Sequence, residues 1–165
     1  MNTRIATVAL TAVALSAAAQ FTLRDGRAPA PRRQLSADAP FRAPRTVWDS
    51  VYSAEQAKRG EEIFGKSCAR CHQAALTGAD DAPPLAGSAF LSGWDGLTVG
   101  TLSDRINSSM PSDDPGSLSR QQIVDVISYV LKYNTFPAGA AELPVQVELL
   151  KEIKIVATRP AGGQD

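Results

Sequence analysis

Reactive side chains are scarce in this chain. It has two cysteines, one histidine and two methionines, one of the latter being Met1. A single histidine excludes a site built from several imidazoles, and two cysteines cannot make the multi-bridge framework of small secreted domains. Neither charge is in excess, with 17 basic against 17 acidic residues. That balance argues against a nucleic-acid binder, which carries a basic surplus. The uncharged run from Ile5 to Ala19 has 15 residues, short of the roughly 20 needed to span a bilayer. No internal repeat and no second core are visible. What remains, 165 residues with 44% hydrophobic content, suits one soluble domain with spare length for tails.

The opening segment "MNTRIATVALTAVALSAAAQ" reads as a targeting signal. One early Arg4 precedes the Ala/Val/Leu run, and Ala17-Ala18-Ala19 supplies the small residues that a signal peptidase reads. Residues 1–19 are expected to leave as a signal peptide. The alternative is an uncleaved anchor that keeps the protein at the membrane. Either case implies export and a periplasmic location, and no cysteine follows the run to suggest lipoprotein processing. Residues 20–46 hold four prolines and six arginines without an apolar period. They read as a linker or strap, either solvated or touching lipid headgroups or an acidic partner.

The folded domain is expected over 47–136, with a C-terminal extension over 137–165 packed on it. Ser53 and Gln56 form a capping-box signature ahead of a helix over 54–66, carried by Ala57, Gly60, Ile63 and Phe64. Gly60 costs that helix about 1 kcal/mol, which points to another helix crossing closely there. Ser119 and Gln122 open a second strong helix, with Ile123, Val126, Ile127, Val130 and Leu131 on one stripe. A shorter helix fits about 98–108, while 77–100 is too rich in proline and glycine for long elements. Pro144 can start a tail helix through about 153, with Val147, Leu150 and either Leu143 or Ile153 facing inward.

All the cysteine and histidine lies in "GKSCARCHQAALTG", as Cys68, Cys71 and His72. A disulfide is permitted in an exported protein. A thioredoxin-like pair would want a βαβ context, which an all-helical pattern lacks. Structural zinc wants four protein ligands and finds three, and a catalytic zinc would still need a reason for His72 to abut Cys71. C-x-x-C-H as a unit is the attachment sequence of c-type haem. Each thiol becomes a thioether, and the adjacent histidine becomes an axial iron ligand. The second axial ligand has one candidate, Met110, which lies 38 residues after His72. It sits in the polar, proline-stiffened loop "SSMPSDDPGS", poor surroundings for a core filler but suitable for a thioether ligand.

With these residues in place, the chain resembles the mono-haem class I cytochromes c over about residues 50–135. It looks especially like the exported bacterial members found with quinoprotein dehydrogenases or respiratory oxidases. The resemblance implies an all-α fold of three to four helices around one covalently attached haem c, here with an N-terminal strap and a C-terminal helical tail. It implies that Gly60 and Phe64 pack against Val126 and Tyr129. It implies that the Pro83 carbonyl, in "APPLAG", accepts a hydrogen bond from the His72 ring. Trp94 lies where many members carry a tryptophan bonded to a haem propionate, or it packs on the haem edge. Arg105 could screen a propionate, pair with Asp104 or face solvent. The lysine ring of the family is not evident here.

The expected function is a periplasmic electron carrier, not an enzyme, between a dehydrogenase and a respiratory acceptor. Partners would be redox proteins: a quinoprotein dehydrogenase, another cytochrome or a terminal oxidase. No nucleic acid is expected, and a membrane only if the N-terminal segment stays uncleaved. The alternatives are a haem sensor or peroxidase in which Met110 dissociates, or a permanent subunit of a dehydrogenase complex. Expected haem walls are Phe64, Leu76, Leu85, Phe90, Leu97, Leu102, Ile106 and Val130.

Overall fold

The structure, a computed structural model, describes residues 45–161. The expected signal segment and most of the strap lie outside them. Along the chain come β1 (Arg45–Thr46), α1 (Ala54–Ser67), α2 (Ala69–His72), α3 (Gly87–Trp94), α4 (Val99–Ser109), α5 (Arg120–Tyr133), α6 (Val147–Leu150) and β2 (Ile153–Lys154). The fold is mostly helical, with one short two-stranded pairing between its ends. Among the described residues no helix is long and apolar enough to cross a membrane.

The centre of the fold is the crossing of α1 and α5. A Cβ on Gly60 would overlap the Asp125 carbonyl and stand 3.0 Å from Tyr129 Cβ. Glycine is needed here for close approach of two backbones, which repays its cost in helix propensity. One turn on, the Phe64 and Tyr129 rings meet with centroids 5.3 Å apart. α5 begins with a complete capping box at Ser119 and Gln122. α1 has only half of one. Ser53 Oγ accepts from Gln56 N at 3.0 Å, but the Gln56 side chain turns to the tail. It donates to Leu143 O at 3.2 Å and accepts from Leu143 N at 2.7 Å. Gln56 is fully buried, so a long-range pair of backbone groups outcompetes the local cap.

Between the crossing helices, α3 is a two-turn helix in a segment whose prolines and glycines exclude long elements. Its glycines, Gly87 and Gly93, sit at an end and on an open face, so neither prevents helix formation. The tail differs from the single helix its sequence suggests. It makes only the turn α6, and Ile153–Lys154 then pairs in parallel with β1, Arg45 opposite Ile153. Alternation explains the switch: Ile153 and Ile155 point inward and are buried, while Lys154 is exposed. Leu143 and Leu150 are buried as well, and Val147 is half-buried. Gly100 on α4 lets the tail approach, since a Cβ there would lie 2.8 Å from Lys151 N. Trp48 Nε1 donates to Val156 O at 2.8 Å, tying the first described residues to the last.

Candidate haem site

Cys68 is where α1 stops. Its N–H closes the last turn on Phe64 O at 2.9 Å, while its own φ and ψ of −120° and −37° start a new direction. The single turn α2 then carries Cys71 and His72, whose N–H groups return to Cys68 O at 3.1 and 2.9 Å. The spacing thus folds back as one turn that presents two thiols and an imidazole together. Gln73, with φ 61°, ends the turn and directs the chain into the following loop.

His72 is buried, with 8% exposed. Its Nδ1 lies 2.9 Å from Pro83 O. A carbonyl can only accept, so Nδ1 carries a proton and Nε2 is the nitrogen left to serve as a ligand. Both cysteines are free, Cys68 half-buried and Cys71 exposed. Burial, with the neighbouring Cys71, pushes the Cys68 thiol up to about 11. At neutral pH it is a thiol and not the reactive thiolate of a redox dithiol. Among the described residues no three His, Cys, Asp or Glu side chains gather as an ion would require, so the zinc reading finds no ligand set.

These groups open onto one cavity of about 930 Å³, within the roughly 300–1,000 Å³ of small-molecule and cofactor pockets. It brings together Cys68, Cys71, His72, Pro83, Trp94 and Met110. Met110 caps the end of α4 and is half-buried. The apolar wall includes Leu85, Phe90, Leu97, Leu102, Ile106 and Val130. Phe64 and Leu76, also expected there, are buried in the core instead. Phe64 is turned to Tyr129, and Leu118 and Val126 take up wall positions. The residues fit a haem: two free thiols and an imidazole whose Nε2 is not engaged by Pro83 lie on one apolar cavity, with no buried side-chain polar atom left orphaned among the described residues.

The polar rim was less legible. Arg105 lines the cavity and is exposed. Asp104 is not its partner, because it faces Lys151 at 3.8 Å. Trp94 stands with its ring 6.1 Å from that of Phe90. Arg70, inside the C-x-x-C-H turn, pairs at 2.7 Å with Asp113 in the Met110 loop. This pair raises Arg70 and lowers Asp113, each through the hydrogen bond between them. No local spacing announces it, since the two segments meet only in the fold.

Residues 55–130 match the family model described as cytochrome c oxidase, cbb3-type, subunit III. No curated protein matches the chain. Among solved structures, the chain is similar to a chain of the sulfane dehydrogenase SoxCD from Paracoccus pantotrophus, at 21% identity and a TM-score of 0.43. That similarity covers 65% of this chain and 61% of the other. The matched residues run from α1 to α5 and hold the cysteine–histidine turn, and their mostly helical architecture is that of a class I c-type cytochrome domain.

Proposed function

We propose that this protein carries single electrons on one haem c, held covalently by Cys68 and Cys71 and ligated axially by His72 and Met110. The family model that matches residues 55–130 supports electron transfer on haem c. The observation that carries it is the shared cavity. One apolar space gathers both cysteines, the only histidine and the only methionine other than Met1. The haem iron, when bound, supplies a one-electron couple.

The chain's residues set the conditions for that couple. Pro83 holds the His72 ring by its Nδ1–H, which fixes the tautomer and makes Nε2 more electron-donating. A Met110 thioether paired with the His72 imidazole on a bound haem would favour the reduced state relative to two nitrogen ligands. Leu102, Phe90 and Val130, all at most 5% exposed, keep water from the interior face, which acts in the same direction. Cys71 is exposed, so the edge that it anchors is where a partner approaches. A haem held by both His72 and Met110 would have no open coordination site, which would suit a carrier and not an oxygen or peroxide enzyme. The partners are redox proteins of the dehydrogenase, cytochrome or oxidase kind, met in the periplasm after export. A weak near-infrared methionine–iron band in the oxidised exported protein, absent in Met110→Ala, is the expected result. Rapid, tight carbon monoxide binding by the reduced parent protein at neutral pH would overturn the fixed Met110 ligand.

A further inference from the structure

Asn134 ends α5 and is buried, with 8% exposed. Its side chain spends its amide on a loop far away in sequence. Oδ1 accepts from Gly87 N at 2.9 Å, and Nδ2 donates to Leu85 O at 2.9 Å. The other Nδ2 proton goes to Val130 O at 2.8 Å, inside its own helix. Both donors are therefore committed, and the group has no rotational freedom left.

The loop needs such a bracket. Pro83 and Pro84 have no N–H, so this stretch cannot close a backbone ladder of its own. Leu85 N reaches Leu76 O at 2.8 Å on one side, and Asn134 supplies the other. α3 starts here too, with Ala86 at its N-cap and no side-chain cap of its own. Asn134 satisfies the N–H of Gly87, a capping bond delivered from another helix. Two residues before Leu85, the Pro83 carbonyl receives the His72 ring.

We propose that Asn134 is a positioning residue that holds the Pro83 carbonyl against the His72 ring and thereby sets the redox potential of the site. This rests on the haem reading above. Loosening the loop weakens the Nδ1–H bond, makes His72 a poorer donor and raises the midpoint potential.

The test uses the haem-loaded full chain. Asn134→Asp keeps the acceptor for Gly87 and loses both donations, whereas Asn134→Leu loses all three. Ser128→Ala is the reference: it removes a buried bond to Val124 O within α5 and leaves the loop's partners intact. Exchange of the His72 Nδ1 proton with solvent is followed by NMR of the reduced protein, and the midpoint potential by titration. Both Asn134 variants should speed exchange about tenfold or more, as loss of a buried hydrogen bond allows, and should raise the potential. Ser128→Ala should lower stability and move neither readout. Asn134 variants that lose stability but keep the parental exchange rate and potential overturn the proposal. The parent protein gives a second check that needs no variant. In native-state exchange, the Asn134 Nδ2 protons and the His72 Nδ1 proton should open with one denaturant dependence, and separate openings count against the coupling. A parent without covalent haem would remove the reading beneath, whereas a haem-loaded parent with unresponsive Asn134 variants removes this inference alone.

Discussion

Replacing Gly60 by alanine sets two opposed effects against each other within one helix. Alanine is the better helix former by about 1 kcal/mol, so an exposed glycine in α1 should gain stability on substitution. Gly60 is not exposed, and its added methyl would overlap the Asp125 carbonyl. The obstacle is backbone, not the end of a flexible side chain, so the overpacking cost falls near the top of the roughly 1–3 kcal/mol range. α1 must back away from α5, which also loosens the Phe64–Tyr129 contact. The net effect is a loss of about 2 kcal/mol or more. Gly65 provides the control, since it lies on the same helix with nothing within 4 Å of an added Cβ. Gly65→Ala should gain about 0.5–1 kcal/mol, less than mid-helix because α1 ends at Ser67. Guanidinium unfolding of both variants, compared at constant slope, measures the difference directly. Similar midpoint shifts in the two variants would refute the reasoning, because Gly60 would then not mark a close crossing.

Other perturbations follow from the same contacts. Arg59→Ala strips a forked partner at 3.0 Å from Asp125, whose side chain is 4% exposed against 43% for Arg59, and leaves it with Gln121; the loss in unfolding free energy should be about 1–2 kcal/mol at neutral pH. Gln56→Leu leaves the Leu143 N–H and C=O without the partner they have now, so limited proteolysis should cut the tail around 137–146 faster, with about 2–3 kcal/mol lost. The Arg70–Asp113 pair is exposed on both sides and lowers the Asp113 carboxyl. Its contribution is therefore present above the ordinary carboxylate value and lost as pH falls through the depressed one. Imidazole binding to the oxidised protein should be insensitive to pH from 7 down to about 5 as far as this pair is concerned. It should quicken with added salt or in Asp113→Asn, and an Asp113→Asn protein that keeps the parental salt dependence would deny the pair any hold on the Met110 loop.

Elements stated by periodicity and caps were legible in the sequence. α1, α4 and α5 follow from apolar stripes with Ser or Thr at their starts, and Gly60 announced its crossing by being costly anywhere else. The cysteine–histidine turn is likewise local, so its placement at the end of α1 could be read directly. What escaped depends on distant partners. Gln56 looks like half of a capping box until Leu143 is there to compete for it. Asn134 reads as an ordinary helix end until the Leu85–Gly87 backbone arrives. α3 is short, as proline and glycine density requires, and its glycines fall where a helix tolerates them. The tail's Ile153 and Ile155 carry a two-residue alternation that a helical frame obscured, and their strand partner lies at the far end of the domain. Phe64 and Leu76 are apolar enough for a haem wall, yet packing against α5 and within the core takes them elsewhere.

The central claim is that Cys68 and Cys71 together anchor one haem in the shared cavity. Intact mass spectrometry of the exported protein after denaturation and organic extraction tests it most directly. The exported chain should be heavier by one haem, a mass increase retained through extraction and lost in the Cys68→Ala/Cys71→Ala double variant. A parent chain of unmodified mass, with its two thiols free to alkylate, would contradict it.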